Sequence, residues 1–537
     1  MLPQVLVFSV KRNNMDKKIY WNLTGIFFTI AAFFMGYLVY SNFDKGLVMN
    51  DEAYYLMHFR DSHKMVTIDA TNYFRIFQIF YTDNIYHFRV ITFALLNASS
   101  YLLFCTAANY FKLKIHPLLF GFLGICINML SWHGTIVVLN QYHGNTILTN
   151  LTLSFVLFFL MYRKNLLLIP AGFFMGILLF NGIPHTITAV PVFIFILYHF
   201  WEKKSAAVFS FVGGGLLGII IYFTFIQSPH SFISQLEYIK IYQEFHRKQH
   251  PKRFYIFWMA QVLGFIFLPL AALLFSFRKW FTGQIKLLDK FLLAFGVILL
   301  LSSFFYANLH LVFVFVGMLV FRYSLSDNSL KKKTILAVLF LLPFGLAFGS
   351  GFYFHIRGGM YQIYYLLIVS IALIQLYHFR TYALYLAAFA ISVIFYPRFL
   401  HDKGWKDFVY TEQNVPVKIN GHTLYLDQKR KKDLDDLRPY LQNQPNVVYS
   451  KNNLTGYLYI LNAHAPIPYY FTLKDYIKFM IEKHGKTPDD YIYIENDEYP
   501  FTVSDLRPME FVKHPEKYKK VQAGRFTLYL PENFKKR

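Results

Sequence analysis

The chain has 537 residues, of which 55% are hydrophobic, 20% aromatic and only 15% charged, with a mean hydropathy of +0.35. A soluble globular domain carries about 25% charged residues, so this composition excludes one. The net charge of +23 is uneven: residues 401–537 hold 22 Lys and Arg against 18 Asp and Glu, while residues 1–400 hold the remaining 31 against 12.

Residues 1–19 form a basic segment, and Met15 offers a second natural start. The first apolar stretch, 19–43, is too long for the core of a signal peptide and lacks a small-x-small cleavage site, so no cleavable leader is expected. Apolar runs of about 20 residues then recur. They predict thirteen spans, at about 20–42, 88–111, 116–139, 146–162, 166–182, 185–200, 206–226, 254–276, 290–306, 309–323, 334–353, 362–377 and 381–397. Lys and Arg gather in alternate connections, including Lys112 and Lys114, Arg163 and Lys164, Lys203 and Lys204, and Lys331 to Lys333. Such connections face the cytoplasm. The N-terminus is therefore expected inside and residues 398–537 outside. This charge pattern points to anionic lipid headgroups as partners, and no motif for nucleic acid is present. The two cysteines, Cys105 and Cys126, lie in apolar spans, which excludes a disulfide framework.

Two outer segments stand apart. Loop 44–87 holds six of the twelve carboxylates of residues 1–400, among them the adjacent pair Asp51-Glu52. Scarce acids concentrated beside a membrane are candidates for chemistry, although Asp51 also suits a helix N-cap and Glu52 a first helical turn. Within this loop, Tyr73, Phe74, Phe77, Phe80 and Tyr81 recur at helical spacing. They predict an amphipathic helix that lies in the membrane interface or packs on the protein. The outer loop 228–253 carries Lys240, Arg247, Lys248, Lys252 and Arg253. These cations suit lipid headgroups or the phosphate of a lipid substrate. From residue 398 hydropathy falls, and alternating elements predict a small α/β domain: helices at 427–442, 454–462 and 473–484, and strands at 446–450, 468–471, 491–495 and 526–530. That domain shows no metal spacing, nucleophile elbow or phosphate loop.

The order of these features resembles the GT-C membrane glycosyltransferases, which include protein O-mannosyltransferases, the aminoarabinose transferase of lipid A and oligosaccharyltransferases. Asp51-Glu52-Ala53-Tyr54-Tyr55 is similar to their Asp-Glu motif. Tyr86-His87-Phe88-Arg89-Val90 enters span 2 in the same way. Ala171 to Ile177, followed by Asn181-Gly182-Ile183-Pro184, resembles their Gly-rich span and its turn. Two positions depart from the pattern. Asn181 stands where many members have lysine, and His143-Gly144-Asn145 stands near the start of span 4 where many have an aspartate.

The resemblance implies a polytopic α-helical protein of GT-C type with an extracytoplasmic α/β domain, in the cytoplasmic membrane. It implies transfer of a sugar from a polyprenyl-phosphate carrier to an external glycan, lipid or protein acceptor, with inversion. Asp51 would be the general base and Glu52 its partner. Arg89, at the outer edge of span 2, and Arg357, beside Gly358-Gly359, would bind the donor phosphate, with Arg247 and Lys248 assisting. Arg89 equally suits a plain membrane-edge anchor. His143 and Asn145, on a short outer loop, are candidate substrate contacts. No required cofactor is read; a divalent cation stays open but unsupported, because the missing second acid weakens the set of oxygen ligands that a tightly held one needs. A ligase or polymerase of lipid-linked glycans, a lipid-carrier flippase, or a membrane scaffold with a partner-binding outer domain remain open alternatives.

Overall fold

The computed structural model describes residues 22–62, 71–131, 138–182, 205–249, 286–292, 309–327, 329–347, 361–377, 413–449, 454–465, 490–496 and 512–535, with positions 294 and 509. Among these, four helices are long and apolar enough to cross a membrane: Asn22–Tyr40 (α1), Ile85–Phe111, Gln141–Tyr162 and Ala206–Ile226. The expected spans 185–200, 254–276 and 381–397 lie outside the described residues, as do most of 290–306 and the segment 1–19.

In chain order, α1 is followed by the short helices Asp51–Arg60 (α2) and Tyr73–Ile76 (α3), then by Ile85–Phe111 (α4), Pro117–Ser131 (α5), Gln141–Tyr162 (α6) and Leu168–Asn181 (α7). Next come Ser205–Ile221 (α8), Pro229–Gln249 (α9), Leu309–Ser326 (α10), Leu330–Ala347 (α11) and Gln362–Leu376 (α12). Lipid offers no hydrophobic drive between apolar helices, so polar contacts and small residues join them. Asn128 of α5 donates to Asn97 of α4 at 2.9 Å, and Asn150 of α6 reaches the hydroxyls of Ser99 and Ser100 at 3.4 and 3.2 Å. Helices α7 and α8 pack backbone to backbone. A Cβ on Gly172 would stand 2.0 Å from the Phe211 carbonyl, and one on Gly176 would stand 2.3 Å from that of Gly215. The glycines of 171–177 thus serve a helix crossing, and Gly214, Gly215 and Gly218 answer them from the other side.

Three boundaries differ from expectation. Helix α6 begins at Gln141, so residues 141–145 form its first turn rather than an outer loop. Asn140 caps it, its Oδ1 accepting from the backbone N–H groups of Tyr142 and His143 at 2.9 and 3.0 Å. Most of segment 228–253 is the helix α9 rather than a loop. The expected helix over 71–83 is only α3 followed by a 3-10 turn at Gln78–Phe80. Tyr73, Phe74 and Phe77 are buried in the protein, while Ile79 is 86% exposed, so most of the aromatic face packs inward.

The C-terminal region is a small α/β unit. A hairpin, Val415–Ile419 (β1) with His422–Leu426 (β2), precedes helix Gln428–Leu441 (α13), which Asp427 caps through Arg430 N–H at 2.8 Å. Strands Val447–Tyr449 (β3), Ile492–Asn496 (β4), Tyr518–Ala523 (β5) and Phe526–Pro531 (β6) form one sheet in the order β3-β4-β6-β5. Only β3 and β4 run parallel. The short helix Thr455–Ile460 (α14) lies between β3 and β4 in sequence. The expected strand 468–471 and the expected helix 473–484 fall outside the described residues, whereas the hairpin and β5 are additions to the expected set.

Candidate functional site

Helix α2 carries the acid pair and is buried from Glu52 to Phe59. A helix covered on all sides needs partners on all sides. Helix α4, the aromatic residues of α3 and the C-terminal unit supply them. Gly456 N–H of α14 donates to the Met49 carbonyl at 2.7 Å, at the entrance to α2. The preceding segment pairs with the hairpin: Gly46 N–H donates to the Tyr425 carbonyl, and Tyr425 N–H to the Asp44 carbonyl, both at 2.8 Å.

The same segment turns its other carbonyls onto Arg89. The Arg89 Nε and one Nη2 proton donate to Glu52 Oε1 and Oε2, both at 2.8 Å. Nη1 donates to the carbonyls of Phe43 and Lys45 at 2.7 and 3.1 Å, and Nη2 also to that of Gly46 at 2.7 Å. A guanidinium has five N–H donors, so all five are taken by the protein. Gly46 sits at φ +65°, a left-handed conformation that glycine reaches without strain, and this turn aims its carbonyl at the guanidinium. Arg89 is 0% exposed and Glu52 1%. Arg89, expected as a phosphate ligand, is spent on the fold instead, because all five donors of its fork are taken by the protein. It clamps the acid loop to α4. Glu52 Oε2 accepts a further bond from Val48 N–H at 3.1 Å, so this carboxylate is also committed to holding the loop.

Asp51 is different. It opens the first turn of α2, is half-buried and follows Asn50 at the cap position. The helix dipole favours a carboxylate there. Of the two adjacent acids, Glu52 is sealed in the Arg89 clamp, whereas Asp51 is only half-buried.

The far end of α2 meets the C-terminal unit through charge. Arg60 Nη2 donates to the Ala463 carbonyl at 2.9 Å and to Asp61 Oδ2 at 3.0 Å, and its guanidinium lies 5.5 Å from the centre of the Tyr459 ring. His464 Nδ1 lies 3.2 Å from Asp61 Oδ1. Burial alone would raise the Asp61 pKa, but the His464 hydrogen bond and the Arg60 charge outweigh it and hold the carboxyl below its ordinary range. One turn earlier, His58 is wholly buried and shares a 2.6 Å hydrogen bond with the Tyr73 hydroxyl. Burial pushes its pKa down to about 3, against the pull of Asp61 and helped by Arg75, so this imidazole is neutral at physiological pH.

His143 and Asn145 lie inside the first turn of α6, not on a solvated loop. His143 Nδ1–H donates to the Val138 carbonyl at 3.0 Å. Asn145 donates to the Tyr361 hydroxyl at 3.0 Å and accepts from Asn181 at 2.6 Å. Asn181 and Asn145, the latter the last residue of His143-Gly144-Asn145, thus face one another as a neutral amide pair. Arg357 lies outside the described residues. Arg247 and Lys248 are on the last turns of α9, and their side chains lie outside the description. Among the described residues, no group of three or more His, Cys, Asp or Glu side chains is placed to hold a metal ion.

The pairing of Arg60 and Asp61 with His464, and of Asn145 and Asn181 with Tyr361, carries no sequence signal, because each joins elements far apart in the chain. Searched against known proteins, the chain matches no family model, no curated protein and no solved structure.

Proposed function

We propose that this protein is a membrane glycosyltransferase that moves a sugar from a polyprenyl-phosphate carrier to a glycan, lipid or protein acceptor outside the cytoplasmic membrane. The observation that carries this reading is the division of labour between Asp51 and Glu52. A buried arginine fixes Glu52 and with it the first turn of α2, and that turn positions Asp51, half-buried, in the loop that holds six of the twelve acids of residues 1–400. A positioned carboxylate of this kind suits general-base catalysis. Asp51 takes the proton of an acceptor hydroxyl or amine as that group attacks the anomeric carbon. The bond from that carbon to the phosphate oxygen breaks, and the lipid phosphate leaves with the electron pair. A single displacement of this kind inverts the anomeric centre. With Arg89 committed elsewhere, the leaving phosphate falls to Arg357, Arg247 or Lys248.

A thirteen-span topology, with an inner N-terminus and an outer C-terminal domain, goes with this reading. Loop 44–62 and the C-terminal unit touch through Gly46, Tyr425, Arg60 and Ala463. Two regions in contact lie on one side of a membrane, which requires an even number of crossings between residues 85 and 413. Spans 2 to 13 number twelve.

The test is transfer of radiolabelled sugar from a panel of polyprenyl-phosphate sugars by membranes carrying wild type or Asp51→Asn. Transfer by the wild type, lost in a stably inserted Asp51→Asn protein, is the expected result. Transfer that persists in the variant removes the base role from Asp51. No transfer from any donor returns the chain to the ligase or flippase alternatives.

A further inference from the structure

Behind α3, the backbone of residues 71–72 pairs with the end of α7. Thr71 forms an antiparallel bridge with Gly182, and Asn72 N–H donates to the Asn181 carbonyl at 3.3 Å. This junction brings together Thr71, Asn72 and Asn181. Asn72 and Asn181 are 0% exposed, and Thr71 is buried. Thr71 Oγ1, both amide atoms of Asn72 and Asn181 Oδ1 have no hydrogen-bond partner among the described residues.

The orientation of Asn181 is fixed independently. Its amide nitrogen donates to the Gln141 carbonyl at 2.9 Å and to Asn145 Oδ1 at 2.6 Å. A carbonyl only accepts, so the nitrogen must face Gln141 and the oxygen must be the atom left over. Gly144 makes room for that amide, since a Cβ there would stand 2.7 Å from Asn181 Oδ1 and 2.8 Å from the Phe77 ring.

Each buried polar group without a partner costs about 1–3 kcal/mol, and native proteins leave few of them. Four such atoms lie buried at a single backbone bridge, contributed by an outer loop and a membrane helix, and together they offer a ligand both donors and acceptors. Their chemistry selects the ligand. Asn72 offers one donor group and one acceptor, Asn181 an acceptor, and Thr71 either role, with no charge among them. A phosphate only accepts and would meet two amide oxygens. A prenyl chain would satisfy none of these atoms. A hydroxyl both donates and accepts.

We propose that Thr71, Asn72 and Asn181 form a subsite for adjacent hydroxyl groups of the transferred sugar. This rests on the glycosyltransferase reading and adds to it the residues that recognise the sugar apart from its lipid phosphate. Neutral amides hold a polyhydroxyl group without attracting the anionic end of the donor.

The experiment uses the full-length protein in detergent micelles and two variants of matched shape, Thr71→Val and Asn72→Leu. Asn181 is left alone because it bridges α6 and α7. Binding is measured for undecaprenyl phosphate carrying glucose, mannose, galactose or aminoarabinose, each against the unsubstituted lipid phosphate, with sugar transfer and thermal unfolding followed in parallel. The wild type should prefer one sugar-bearing lipid over the bare one. Each variant should lose about tenfold of that preference, the scale of one buried hydrogen bond. Affinity for the bare lipid phosphate should not change, and the melting temperature should be unchanged or higher, because an apolar isostere relieves a polar group that the protein itself does not satisfy. A preference that survives in both variants overturns the subsite while leaving the enzyme standing. Lowered melting temperatures with the preference intact also overturn it, by showing that the groups serve the fold. A wild type that transfers sugar without preferring any sugar-bearing lipid overturns the subsite alone. A wild type that neither binds nor transfers overturns the glycosyltransferase reading and the subsite with it.

Discussion

The two ends of α2 are both held by arginine and carboxylate, yet they are built differently. At the N-terminal end, Glu52 and Arg89 meet in a bidentate pair sealed from water, with three backbone carbonyls completing the guanidinium's shell. At the C-terminal end, Arg60, Asp61 and His464 form a looser cluster in which the His464 side chain is about a third exposed. The first ties the acid loop to a membrane helix. The second ties it to a domain about 400 residues later. A sealed pair responds to removal of a partner and hardly at all to salt. A partly wet cluster responds weakly to removal and visibly to salt and acid. The candidate base, Asp51, stands at the rigid end.

The sharpest way to break this comparison is Glu52→Ala. It strands a buried guanidinium, which costs about 3–5 kcal/mol, and should abolish a cooperative thermal transition or sharply lower the yield of folded protein. Arg89→Lys keeps the charge but loses the fork and most of the five donors, and should fail nearly as badly. Survival of either variant with an unchanged melting temperature would remove the clamp from the account. Asp51→Asn, one residue away, should shift stability by no more than about 0.5 kcal/mol while removing transfer.

His58 lies between the two ends and gives the next largest effect. Its pKa falls from 6.5 to about 3 on folding, so the unfolded chain binds its proton first. Its contribution is complete above pH 6.5 and is lost as pH falls toward 3, at about 1.4 kcal/mol per pH unit. Melting temperatures of the wild type should decline through this window, and His58→Phe should flatten the decline. Equal slopes in the two proteins would place the proton uptake elsewhere.

The smallest effects belong to the wet cluster. Asp61→Asn or His464→Ala should each cost about 1 kcal/mol, read as easier proteolytic release of the C-terminal unit. The Asp61 pKa is lowered from an ordinary value of 3.8, so its contribution is present at neutral pH and lost only on the acid side of the carboxylate range, below the start of the His58 window. Added salt should narrow the gap between wild type and these variants, and should leave the Glu52→Ala defect unchanged.

Much of the helical framework was legible because hydropathy is local. The starts and ends of α1, α4, α7 and α12 fall within a few residues of the expected spans, and so do α13, β4 and β6 of the C-terminal unit. The beginning of α6 was not legible, because Gln141, His143 and Asn145 read as solvated until Asn181 and Tyr361 are seen to bury them. The hairpin β1–β2 was missed for a related reason: it bonds to residues 44–46 and lies apart from the four-stranded sheet, so its apolar positions answer a partner far away in the chain.

By itself, the sequence determined that this is a membrane protein with a polar α/β tail, and that half of the twelve acids of residues 1–400 lie in one loop. Apolar length, charge asymmetry and acid scarcity are properties of the chain read one stretch at a time. What only the tertiary structure decided is which of two adjacent acids is spent on the fold, which arginine is spent with it, and which amides are left with bonds to give. Those are questions of pairing across 36 or more residues, where burial makes an unmet donor or acceptor costly, and no local pattern encodes the partner.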